Sequence, residues 1–216
     1  MKAELIESIA RVVHVLQINI RWMTWNLFLA FIPLLLSIWL FRTRKASSWV
    51  WWLGFLVFYA FLPNAPYVLT DVIHLINDIR MIQSIWMITL VLIPVYLIVI
   101  LSAFEAYVLS LINFGHYFHR IGKSKWILPV ELITHALNAV GIYLGRFLRF
   151  NSWDFVTQPD SLLTSIDDVF AKKPLLIITL TFIVLTVLYW VMKQVSLAFV
   201  RRSHKQSGVK NIKAEG

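Results

Sequence analysis

Hydrophobic positions in this chain fall in long uninterrupted runs. Segments at about 24–41, 49–63, 84–108, 126–148 and 174–198 are apolar with almost no charge. About 20 such residues carry a helix across a ~30 Å hydrocarbon core. The runs do not alternate apolar with polar, which excludes the strands of an outer-membrane barrel. The pattern predicts an all-α protein, a polytopic transmembrane helix bundle of about five spans.

Ahead of the first span the period changes. Leu5, Ile9, Val12, Val13, Leu16 and Ile20 recur at helical spacing, with Glu7, Arg11, His14 and Arg21 on another face. That pattern predicts an amphipathic helix lying in the interface plane or capping the bundle. Residues 1–22 then form an interfacial helix, 23–199 the transmembrane domain, and 200–216 a basic tail without apolar period, expected to be disordered. The first twenty residues lack an apolar signal-peptide core, so the first span is expected to act as its own insertion signal. Segment 149–173 is polar, and Ser165 followed by Asp168 resembles a helix cap.

Composition agrees with this reading. Charged residues make up 14% of the chain, against about 25% in soluble domains. Cysteine is absent, which removes disulfides and thiolate metal sites. The net charge of +9 suggests no nucleic acid, because the basic residues crowd short loops beside spans. Arg42, Arg44 and Lys45, then Arg120, Lys123 and Lys125, then the tail from Arg201 to Lys213 face only one acid, Glu215. Basic residues in the other loops are balanced by acids such as Asp71, Asp78, Asp154 and Asp160. The positive-inside rule places the first set, and the C-terminus, in the cytoplasm of a bacterial inner or plasma membrane.

Three constellations carry candidate chemistry. In Leu62-Pro63-Asn64-Ala65-Pro66-Tyr67 the prolines remove backbone donors and predict a break at Asn64, with helix restarting near Pro66. Broken backbone at membrane depth survives when buried in protein or facing water, so Asn64, Tyr67, Asp71 and His74 are candidate ligand residues. If helix resumes, Asp71, His74 and Asp78 share a face, the pattern of a proton or metal site. Capping by Asn64 and by Thr70 or Asp71 is the plainer explanation, and one face offers too few convergent ligands to assign a metal.

The second constellation closes span four. Arg146 and Arg149 at i, i+3, with Asn151 and Asp154 beyond, have the spacing to grip a phosphate or carboxylate; ordinary snorkelling explains terminal arginines equally. Asp71 or Asp154 is expected to pair with Arg146 or Arg149. Gly141 and Gly145 form a small-residue face that suits packing within the chain or a homo-oligomer seam. The third set, Glu105, Glu131, His135 and Asn138, suits either structural polar contacts or a proton path. No nucleotide loop, nucleophile elbow or His-Glu-x-x-His motif is present, so no cofactor is assigned.

The residues from Asn26 to Pro33, Leu62 to His74 and Gly141 to Asp154 resemble a bacterial membrane family catalogued as domain of unknown function 1361. The resemblance implies a multi-pass membrane protein and supplies no activity. Three functions remain open: a binding or transport protein with an outer polar site for a small molecule or lipid, an intramembrane enzyme acting on a lipid or lipid-linked substrate, or a structural subunit. Because the chain has no cysteine, Asp160→Cys is a clean topology probe. A membrane-impermeant thiol reagent should label it from outside the cell; labelling from the cytoplasmic side alone would reverse the assignment.

Overall fold

The computed structural model describes residues 2–43, 48–82, 84–150, 157, 160 and 171–214, with the side chains of 2–5 and 203–214 left undescribed. Helix α1 spans Lys2–Ser37 and widens into a π-helical stretch, Ile38–Thr43. Next come α2 (Trp49–Phe61), α3 (Asn64–Tyr67), a 3₁₀ turn (Val68–Asp71) and α4 (Val72–Met81). A short α5 (Ile85–Met87) and a π turn (Ile88–Leu92) lead into α6 (Ile93–Arg120). Then follow α7 (Ile127–Phe147) and α8 (Lys172–Ala214). No strand occurs among the described residues. Among the described residues, five helical stretches are long and apolar enough to cross a membrane: Ile6–Thr43, Trp49–Met81, Ile85–Arg120, Ser124–Phe147 and Lys172–Arg202.

Several elements differ from expectation. The amphipathic segment and the first span are one continuous helix, with no junction near residue 22. At 1.5 Å per residue its 36 residues reach about 54 Å, well beyond a ~30 Å core. Its amphipathic face is used internally: Val12, Val15 and Asn19 are buried in the bundle. Span three, expected at about 84–108, runs on to Arg120, with His116 and His119 on its last turns. That helix stops where Gly122 takes φ +72° and the Lys123 amide donates back to the Phe118 carbonyl at 2.8 Å, a Schellman ending. The backbone of α8 stays helical to Ala214, through most of the tail expected to be disordered. The capping pattern at Ser165 and Asp168 lies outside the described residues, as do Asn151 and Asp154.

The proline break is gentler than predicted. The chain leaves α2 through a two-residue turn, Leu62-Pro63, and is helical again from Asn64. Both residues keep right-handed dihedrals (Leu62 −55°, −39°; Pro63 −61°, −23°). Proline is tolerated in a first helical turn, where its missing N–H has no intrahelical partner anyway. Pro63 and Pro66 both fall at the start of α3, so the lost hydrogen bonds are those closing α2. The Asn64 side chain satisfies another carbonyl of that turn, donating to Phe61 O at 2.9 Å.

Helix α6 is the hub. Its buried face, from Tyr96 through Tyr107 to Phe114, meets α1, α3, α7 and α8. Where α1 ends, an aromatic cluster closes the bundle: Phe41 stacks on Phe114 at 4.6 Å and meets Phe58 edge-on at 5.3 Å. The Trp51 indole donates to the Leu40 carbonyl, satisfying a group within the π-helical stretch. Helix α8 is peripheral; Ile178, Leu185 and Tyr189 face the bundle, while Leu180, Val187 and Trp190 face outward. The second π turn, at Ile88–Leu92, precedes Pro94, whose missing N–H interrupts the ordinary ladder there.

Gly141 and Gly145 let α7 approach α3 closely. A Cβ on Gly141 would stand 2.9 Å from Pro63, and one on Gly145 would stand 3.2 Å from the Tyr67 ring. The small-residue seam expected from sequence is thus closed within the chain. Gly141→Ala should destabilise the protein by about 1–3 kcal/mol, read as a lower Tm in detergent. Gly115→Ala, with its nearest contact at an ordinary 3.4 Å, should change it little. Equal effects would remove the close-packing account.

Candidate functional site

Two acids from the segment following the break are buried inside the bundle: Asp71 is 1% exposed and Asp78 6%. Each finds an asparagine on α1. Asn26 donates to Asp71 Oδ2 at 3.2 Å, and Asn19 donates to Asp78 Oδ2 at 2.5 Å. The two acids are seven residues apart, as are the two amides, and the order is reversed. This is the register of antiparallel helices, with rungs two turns apart, about 10 Å. The sequence reading placed Asp71 and Asp78 on one face and expected an arginine for Asp71, which Arg146 supplies, but it did not find the asparagine partners. The signal was present: two asparagines at i, i+7 in an otherwise apolar helical stretch.

Each rung is then completed by a further helix. On the first, Arg146 of α7 donates from Nη2 to Asp71 Oδ1 at 2.9 Å and from Nε to Thr70 Oγ1 at 2.9 Å. Its guanidinium also lies 4.9 Å from the centre of the Tyr67 ring. On the second, Tyr96 of α6 donates to Asp78 at 2.6 Å, and the Trp22 indole donates to Asn19 at 2.8 Å. His74 packs its ring against Trp22 at 4.8 Å. Asp71 therefore does not cap α4; no side-chain cap is made there, because its carboxylate is committed to Arg146 and Asn26. Thr70 turns back to the Tyr67 carbonyl at 2.7 Å.

Arg146 and Arg149 do not act as a joint clamp. The helix ends at Phe147, and Arg149 sits past it at φ 61°, exposed to the surface. Helical i, i+3 geometry no longer applies there. The Phe150 amide donates back to the Leu144 carbonyl at 3.1 Å, closing the turn.

The third set is brought together in pairs across α6, α7 and α8. Glu131 accepts from Lys193 Nζ at 2.5 Å and from the Tyr189 hydroxyl at 2.6 Å. Glu105 accepts from Ser196 at 2.6 Å. His135 Nδ1 meets the Tyr107 hydroxyl at 2.6 Å. Of the structural polar contacts that the set suits, Glu131 and Glu105 make theirs to α8, whose Lys193 and Ser196 lie one turn apart. Tyr107, Tyr189, Lys193 and Ser196 were missed in the sequence because a single polar residue inside a span gives no hint of its partner. Among the described residues no cluster of three or more His, Cys, Asp or Glu is arranged to hold a metal.

Between α1, α2, α3 and α7 lies a cleft of about 630 Å³. Its polar wall is Asn26, Tyr59, Asn64, Tyr67 and Asn138; Leu29, Leu144 and Phe150 supply apolar surface. Trp25, Leu56 and Leu137 also line it, and they are 52%, 66% and 54% exposed. Leu56 and Leu137 are mid-helix residues, so the cleft opens sideways through the wall of the bundle. Among the described residues its lining includes no Asp, Glu, Lys, Arg or His.

Five helices able to cross a membrane, tied together by buried polar pairs, define a polytopic helical bundle. The chain belongs to the family described as "Protein of unknown function (DUF1361)", whose model matches residues 25–188. No curated protein and no solved structure matches it.

The Asp71–Arg146 pair makes a direct prediction. Arg146→Gln strands a buried carboxylate and should cost about 3–5 kcal/mol. Adding Asp71→Asn should recover part of that loss, with a coupling of about 1–3 kcal/mol. The readout is unfolding in detergent across the double-mutant cycle; strict additivity would mean that the two side chains do not interact.

Proposed function

We propose that this protein binds an amphiphilic ligand that enters the α1–α2–α7 cleft sideways from the bilayer. The observation that carries this reading is the combination of a mid-helix opening with three asparagines and two tyrosines in a cleft otherwise lined by apolar side chains. Ligand sites are mostly apolar concavities with a few placed polar groups. Polar side chains facing hydrocarbon are costly, so amides at this depth serve a polar partner. The Asp71–Arg146 pair lies behind Tyr67 and holds the cleft wall in place rather than contacting the ligand.

The distribution of Lys and Arg supports an orientation with Arg42, Arg120 and the C-terminal tail in the cytoplasm of a cell membrane. The ladder end of the cleft then lies toward the outer face. Among the described residues the cleft lining holds no carboxylate, histidine or lysine to serve as a general acid or base, and the Tyr59 hydroxyl is engaged with Thr134. Binding, alone or as a step of transport, therefore takes precedence over catalysis.

A diazirine-bearing long-chain monoacylglycerol in nanodiscs tests the reading. Crosslinks to the peptides carrying Leu56 and Leu137 should saturate and be competed by unlabelled lipid, and Leu137→Trp, narrowing the mouth, should reduce them severalfold. Crosslinking to outward-facing Leu180 should rise without saturating. If the cleft peptides behave like Leu180, they see only bulk lipid and the proposal falls.

A further inference from the structure

The cleft also carries information about its ligand's head. Asn138 forms part of the cleft wall and is 1% exposed. Its Nδ2 donates to the Thr134 carbonyl at 2.7 Å. That bond fixes the amide orientation, because flipping it would set two carbonyl oxygens against each other. The other atom, Oδ1, is buried and has no hydrogen-bond partner. Buried polar atoms are nearly always paired in folded proteins, and an exception calls for an explanation. One turn earlier on α7, Thr134 meets the hydroxyl of Tyr59, another lining residue, at 3.0 Å. Asn138 thus stands one turn from an existing polar pair, Tyr59 and Thr134, at the cleft wall.

Two features restrict what can satisfy it. An acceptor requires a donor, so a head built only of ether, ester or ketone oxygens leaves Asn138 unpaired. Among the described residues the lining offers no Asp, Glu, Lys, Arg or His, and Arg146, behind Tyr67, is already neutralised by Asp71. A charged head would enter without a counter-ion, which an apolar cleft penalises heavily. We infer that the ligand is a long-chain amphiphile with an uncharged hydroxyl or amide N–H head, and that Asn138 accepts its hydrogen bond. This rests on the amphiphile-binding reading of the same cleft and adds the class of head group.

Oleyl alcohol and oleyl methyl ether form a minimal pair, equal in chain and differing in the donor. Their binding to the full-length protein can be measured by native mass spectrometry from detergent. The alcohol should bind at least about tenfold more tightly than the ether, the scale of one buried hydrogen bond. In Asn138→Leu, close to the original in volume, the ratio should fall to near one. Equal binding of the two probes to the native protein would overturn the donor assignment while leaving the cleft reading intact. A preference that persists in Asn138→Leu would overturn the role of Asn138. Binding of neither probe, or binding indifferent to Leu137→Trp, would remove the cleft reading and this inference with it. The native alcohol-to-ether ratio decides the matter even if Asn138→Leu does not fold.

Discussion

Two carboxylates must be kept inside an apolar bundle, and much of the architecture around them follows from that requirement. Hydrocarbon offers no water to satisfy a buried acid. Asp71 and Asp78 are answered from α1 by Asn26 and Asn19, from α7 by Arg146 and from α6 by Tyr96. Each bond has a direction and a length, so together they set the register of four helices. Apolar packing alone supplies weak registry in lipid, where the tails are as apolar as the side chains. The ladder explains why α1 is long: Asn19 must reach two turns beyond Asn26, into the segment that would otherwise be an interfacial helix.

The same economy holds at the opposite side of α7. Helix α8 exposes most of its surface and has few reasons to dock. Lys193 and Ser196, one turn apart, bind Glu131 and Glu105 on two different helices. Removing either acid from hydrocarbon contact and fixing α8 are therefore one event. At the end of the bundle where α1 terminates, Asn113 plays a similar part, donating to Ser37 at 2.9 Å and accepting from Arg42 at 2.8 Å.

The cleft is a by-product of how the second span is broken. Pro63 and Pro66 shift the chain by a two-residue turn, and Gly141 and Gly145 let α7 close against that turn. The cleft lies against this contact, with Pro63, Gly141 and Gly145 in its lining. The space left carries Asn26 from the ladder helix, Asn64 from the break and Asn138 from α7. A structural device that satisfies acids and a cavity with polar walls thus share residues, since Asn26 belongs to both.

The five spans were readable along the chain because length and apolarity are local properties, set by what a helix needs to cross hydrocarbon. The break at Pro63–Pro66 was readable for the same reason, since proline acts on its own backbone; its gentleness was not, because two prolines one turn apart can both sit at a helix start. The Asp71–Arg146 pair could be expected from two unmatched charges at neighbouring span ends. Its companions could not. Asn19 with Asp78, Glu131 with Lys193 and Tyr107 with His135 join residues far apart in sequence, and each depends on the rotation and register of two helices about each other. A polar residue in a span announces that it needs a partner, while the packed bundle alone decides which partner it meets and which acceptor, as at Asn138, is left waiting.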